Sequence, residues 1–114
     1  MDVVVDQQDG VAIVSPAGDV DSTNAHELQQ RLDELLADDL HNFVIDLSRV
    51  GFMDSAGLAA MVRLYKRVRI GEGDVRLAAV PPQVQEVLDL TRLSSVFAIS
   101  STAAEAAASF RSGA

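Results

Sequence analysis

Asp54, Ser55 and Gly57 interrupt an otherwise apolar stretch, FMDSAGL, at residues 52–58. A carboxylate next to a hydroxyl, flanked by apolar sequence, is compatible with several chemistries. Serine is a preferred helix N-cap, because its oxygen accepts a first-turn N–H that has no partner inside the helix. Ser55 alone therefore predicts a capped helix start. A nucleophilic serine of the esterase type needs glycine two residues before it as well as two after, and Met53 fills the first of those places. The only candidate bases are His26, early in a predicted helix, and His41, in a polar turn. An oxygen-ligand metal site could be assembled from Asp19, Asp21 and Asp54 if their loops meet, but the spacing of a calcium loop is absent. No glycine-rich phosphate loop occurs. A further reading, beside the helix cap, is a regulatory phosphoacceptor. A phosphoryl group on Ser55 would add roughly −1.5 to −2 charges beside Asp54, and a helix N-terminus could accommodate them. The fold would survive, while a partner docked on the loop would not tolerate the change.

The surrounding elements must place this step. DVVVDQ and GVAIVSPAG flank Gln8-Asp9-Gly10, a hairpin signal. Ala25, Leu28, Leu32, Leu35 and Leu36 recur at helical spacing. Asn24 and Glu27 stand in the relation of a capping box, with Asn in the Ser/Thr place. NFVIDLS is the clearest strand, and VGFM leads from it into the Asp54-Ser55 step. A helix from Ser55 is marked by Leu58, Met61, Val62, Tyr65 and Val68, and Gly71-Glu72-Gly73 is expected to end it through a left-handed glycine. DVRLAAV is a strand, and PQVQEVLDL is a short helix with Val84, Val87 and Leu88 inward. VFAIS is a last strand and STAAEAAASF a weakly apolar last helix, marked by Ala103, Ala107 and Phe110.

A hairpin followed by alternating strands and helices implies an α/β fold: a small mixed β-sheet with parallel pairing and right-handed crossovers. A parallel sheet buried on both faces reads as continuously apolar. Asp46 and Arg76 break two strands at alternate positions. One face is therefore expected under helices and the other partly wet, with Asp46 and Arg76 as neighbours on it.

The 114 residues suit one domain spanning 1–114. An apolar content of 48% argues against disorder, and no apolar run is long enough for a membrane span. The start, MDVVVDQQDG, has neither the basic segment nor the apolar stretch of a signal peptide. Cysteine is absent, which excludes disulfides and thiolate metal sites. A cytoplasmic location is expected. The net charge of −8 makes nucleic acid and anionic membranes poor partners. The bases Arg63, Lys66, Arg67 and Arg69 fall together in a segment without acids. That run reads either as a docking patch or as a solvated helix end, where cations suit the macrodipole.

Three blocks in register carry a resemblance that covers nearly the whole chain: GDVDSTNA at 18–25, FVIDLSRVGFMDSAGL at 43–58 and PPQVQEVLDLTRL at 81–93. The sequence resembles stand-alone STAS domains, specifically bacterial anti-sigma factor antagonists. The resemblance implies a small mixed sheet with strands and helices alternating as a superhelix. It implies a regulatory binder rather than an enzyme, needing no cofactor and no metal. The implied partner is an anti-sigma factor serine kinase carrying ATP or ADP. Binding it would free a sigma factor to join RNA polymerase. That kinase would phosphorylate Ser55 and end the interaction, and a serine phosphatase would restore it. Asp21 corresponds to the family aspartate of the neighbouring loop, and Asp54 is the acid preceding the acceptor. Gly18, Asp19 and Gly57 would shape the docking surface. The free protein is expected to be a monomer. STAS-like domains also serve as constitutive adapters in transporters and stress-sensing assemblies, which is the alternative reading. Where the family usually has a second serine this chain has Ala56, leaving Ser55 as the sole serine of the motif. Asp19 replaces a common Glu, Asn24 a common Thr, and Arg92 a usual glycine. If position 92 requires positive φ, arginine costs about 1 kcal/mol there.

Overall fold

The computed structural model describes residues 1–112. In chain order the elements are β1 (Val3–Gln8), β2 (Val11–Pro16), α1 (Ala25–Ala37), β3 (Asn42–Asp46) and α2 (Ser55–Ile70). They continue with β4 (Asp74–Ala78), α3 (Pro82–Leu90), a 3-10 turn (Leu93–Ser95), β5 (Ala98–Ser100) and α4 (Ala103–Ser112). The five strands form one sheet in sequential order, β1-β2-β3-β4-β5. β1 and β2 pair antiparallel, from Val3 opposite Pro16 to Gln8 opposite Val11, and the remaining pairs are parallel. Asp9 (φ 51°) and Gly10 (φ 80°) both adopt positive φ. That is the turn whose twist matches a two-residue hairpin, so the Asp-Gly signal is met.

Sequential parallel strands joined by right-handed crossovers all advance the same way, which puts every crossover helix on one face. The main core follows from this. Phe43, Ile45, Val75 and Leu77 of the sheet pack with Leu28 and Leu32 of α1, Met61 and Leu64 of α2, and Val84 and Leu88 of α3. The opposite face is partly wet, as Asp46 and Arg76 suggest: both are half-buried on it, and Val4 and Asp6 are exposed at its β1 edge, but a helix covers its middle. α4 follows the last strand, so no crossover rule governs it. It folds back over the second face and buries Val11, Ile13, Val44 and Ala78 under Ala106 and Ala107. Alanines let this helix lie close to the sheet while leaving little apolar pattern in the sequence. Arg76 shares that face with Asp46 but pairs with Asp74 through Nε at 3.1 Å. Its guanidinium donates to Ser109 Oγ at 2.6 Å and lies 4.0 Å from the Phe110 ring centroid. Asp46 instead accepts the Ser15 hydroxyl and the Ser48 amide.

Two helix-end expectations are also corrected. Asn24 is the α1 N-cap but makes no side-chain capping bond. Its amide is turned back into the preceding loop, and Glu27 takes the Met1 ammonium at 2.8 Å. After α2, Gly71 is not left-handed (φ −95°); Glu72 is, at φ 63°. Gly73 is required for a different reason. A Cβ there would stand 2.0 Å from the His41 carbonyl oxygen, so only glycine lets β4 start beside β3.

Candidate functional site

Parallel pairing brings the C-terminal ends of β2 and β3 side by side, so the loops 17–24 and 47–54 meet. Gly18 N–H donates to the Arg49 carbonyl at 2.9 Å, Val20 N–H to Phe52 at 2.9 Å, and Asp54 N–H to Val20 at 3.1 Å. Val20 and Met53 thus form a short parallel bridge beyond the regular sheet. Gly18 turns the first loop at φ +90°, a conformation that side chains rarely adopt.

Asp54, not Ser55, caps α2. Asp54 has extended backbone, and its Oδ1 accepts the Ala56 and Gly57 amides at 2.8 and 3.3 Å. Aspartate and serine cap comparably well. Here the chain becomes helical one residue earlier than a serine cap requires. Asp54 Oδ2 accepts the Ser22 amide across the loops at 3.2 Å, so one carboxylate holds both the helix start and the neighbouring loop. Ser55 becomes the first helical residue. It is exposed, and its hydroxyl makes no hydrogen bond among the described residues.

The first loop is braced from within. Asn24 Oδ1 accepts the Asp21 amide at 2.9 Å, and Asn24 Nδ2 donates to the Asp19 carbonyl at 2.8 Å. The Asp21 carboxylate accepts both the hydroxyl and the amide of Thr23. The Thr23 hydroxyl first, then its amide, hold the Asp21 carboxyl below the usual aspartate range. The Asp19 side chain lies over Gly51, where an added Cβ would meet Oδ1 at 3.3 Å.

The structure gathers the residues singled out from the sequence around one point. Gly18, Asp19 and Ser55 are exposed there, and Asp21 and Asp54 are half-buried. Gly57 is buried instead. A Cβ on it would stand 2.6 Å from Met53 Cγ and 3.0 Å from Val20 Cγ1, so it acts from beneath by letting α2 approach the bridge. The carboxylates of Asp19, Asp21 and Asp54 do not converge, and no group of ligating side chains suited to a metal ion occurs among the described residues. His41 precedes β3, at the opposite end of the strand from Ser55, near Asp39. Of the basic run, Arg63 and Arg67 reach Asp33 of α1 at 2.6 and 3.5 Å, and Arg69 donates to the Gly73 carbonyl. Those three make contacts within the fold.

Two neighbours of the site were not singled out from the sequence. Phe52 is 42% exposed beside the motif, yet an aromatic in an apolar run reads as core. Gln83 of α3 reaches Met53 across thirty positions of sequence. A lone glutamine in a helix gives no signal of such a contact.

The sequence profile described as the STAS domain matches residues 2–106. BtrV of Bordetella bronchiseptica, which bears the name anti-sigma factor antagonist, is 31% identical, covering 97% of this chain and 96% of its own. The anti-sigma-B factor antagonist of Bacillus subtilis is 30% identical over 88% of this chain and 91% of its own. The crystal structure of an anti-sigma factor antagonist from Mycobacterium paratuberculosis superposes with a TM-score of 0.88 at 31% identity, covering 96% of this chain and 93% of that one. The five-stranded mixed sheet, its helices and these matches along the chain agree: the protein belongs to the STAS-domain family.

Proposed function

We propose that this chain is an anti-sigma factor antagonist that binds a kinase-type anti-sigma factor, releases the sigma factor, and is switched off by phosphorylation of Ser55. The carrying observation is the exposed Ser55 hydroxyl, which makes no hydrogen bond among the described residues because Asp54 takes the capping role. An exposed serine whose capping role is taken by its neighbour is open to a modifying enzyme. The docking surface is formed by Gly18, Asp19, Asp21, Asp54 and Ser55, with Gly57 supporting it from below. Phosphoserine at this position would add roughly −1.5 to −2 charges to a surface that already carries three aspartates. The α2 dipole tolerates that charge within the fold, whereas a partner packed on the loops meets it as repulsion and desolvation cost. The partner in this reading is a serine kinase with bound ATP or ADP, and a serine phosphatase resets the switch. The protein acts as substrate and binder, in the cytoplasm.

The test is intact mass after incubation with ATP and an extract of the source cells, for wild type and Ser55→Ala. One added phosphoryl group on wild type alone is expected. No addition with a demonstrably active extract would return the chain to the constitutive-adapter reading.

A further inference from the structure

The backbone that leads into Ser55 is held on both edges. On one side Val20 bonds to it, accepting from Asp54 N–H and donating to the Phe52 carbonyl. The groups of Met53 point the other way, as alternate residues of a strand do. Among the described residues no strand lies there to receive them. The Gln83 side chain does so instead: its Oε1 accepts Met53 N–H at 3.0 Å, and its Nε2 donates to the Met53 carbonyl at 3.3 Å. A primary amide presents one acceptor and one donor side by side, the same pair that a neighbouring strand would offer. Gln83 is half-buried in the first turn of α3, whose Val84 and Leu88 are fully buried. The amide therefore projects from a fixed support. Met53 itself is buried, with Asp54 and Ser55 following directly.

We propose that Gln83 is a positioning residue for the Asp54-Ser55 step, a surrogate strand edge through which α3 fixes the backbone of the phosphoacceptor loop. The functional half of this inference rests on Ser55 being the acceptor; the clamp itself does not. With the clamp in place, the acceptor hydroxyl is presented in one geometry, and a docking enzyme need not order the loop at binding. Alanine at 83 removes both bonds. Glutamate keeps the acceptor for Met53 N–H but turns a carboxylate toward the Met53 carbonyl. Its protonated form regains a donor, so the defect in Gln83→Glu should fade as pH falls toward the glutamic acid range.

Two readouts on the full chain test this. Amide hydrogen exchange at Met53 should run about tenfold faster in Gln83→Ala, since a lost pair of hydrogen bonds opens the loop locally. Exchange at Ile45 and Leu77 should stay unchanged. In Gln83→Glu the Met53 rate, corrected for intrinsic pH dependence, should approach wild type at low pH. Phosphoryl incorporation at Ser55 in ATP-supplied cell extract should slow several-fold in Gln83→Ala while still reaching one group per chain. Unchanged Met53 exchange in Gln83→Ala would overturn the clamp. Faster exchange with an unaltered rate of incorporation would overturn its role at Ser55. If wild type takes up no phosphoryl group, the acceptor reading fails, and exchange alone still decides the clamp.

Discussion

Asp54 and Ser55 divide the start of α2 between them: the Asp54 carboxylate accepts the Ala56 and Gly57 amides, and the adjacent Ser55 hydroxyl bonds to nothing among the described residues. Loss of a capping side chain costs about 1 kcal/mol, within a range of roughly 0.5–2. Asp54→Ala should therefore lower stability by about that amount, and somewhat more because Ser22 N–H also loses its acceptor. Ser55→Ala should stay within about 0.5 kcal/mol of wild type, as surface changes without a special contact do. Urea unfolding of both variants checks the pair. A Ser55→Ala variant less stable than Asp54→Ala would show that serine carries the cap.

The same division explains which parts of the fold and site sequence reasoning could reach. Asp9-Gly10 and the alternation around Phe43 and Ile45 are local patterns, and the hairpin and β3 follow them. The Asp54-Ser55 step stands out in the sequence because polar residues interrupt apolar sequence there. The cap falls one residue before Ser55, since neighbouring Asp and Ser have nearly equal preference and only backbone geometry separates them. The cover that α4 gives the middle of the second face is not legible in the sequence, for a topological reason. Nothing in Asp46 or Arg76 reveals that α4 returns across the sheet, and Ala106 and Ala107 carry too little apolar contrast to announce it. Arg76 is tolerated under that helix because Asp74, Ser109 and Phe110 receive it. The Gln83 clamp depends on a tertiary approach of α3 that no local pattern encodes.

The brace inside the first loop has a pH signature. The Thr23 hydroxyl and amide favour the ionised Asp21 carboxylate, so its folded pKa lies below the ordinary aspartate value of about 3.9. A depressed carboxylate stabilises the folded loop above the unfolded value, and that contribution is lost as pH falls through the folded one. Thr23→Val removes the hydroxyl, which is the larger cause. The Asp21 carboxyl should then titrate at higher pH, closer to the ordinary value. Carbon-detected NMR titration of Asp21 in both proteins measures this directly. An identical titration would mean that the Thr23 hydroxyl does not bond to it in solution.

Arg92 follows α3 with φ 63° and ψ 16°, the left-handed conformation. Glycine reaches that region without strain, and a side chain pays roughly 1 kcal/mol for it. Arg92 is exposed, and no side-chain bond of its guanidinium offsets the strain among the described residues. Arg92→Gly should therefore raise stability by up to about 1 kcal/mol, less the added freedom of glycine in the unfolded chain. Thermal unfolding gives the sign. A lower melting temperature would mean that the entropy of the unfolded chain outweighs the relieved strain.

The cover that α4 gives the sheet can be measured through Arg76 and Phe110. The guanidinium lies 4.0 Å from the ring centroid and is only partly solvated. A cation–π contact of this kind contributes about 0.5–1 kcal/mol at exposed sites and more where water is excluded. Single alanine substitutions would not isolate it, because Arg76 also bonds Asp74 and Ser109 and Phe110 packs against the second core cluster. A double-mutant cycle removes those separate losses. Arg76→Ala and Phe110→Ala should each destabilise. The double variant should lose less than the sum, by about 0.5–1 kcal/mol. Additive losses would place the guanidinium away from the ring in solution. Arg76 would then hold α4 through its hydrogen bond to Ser109 alone.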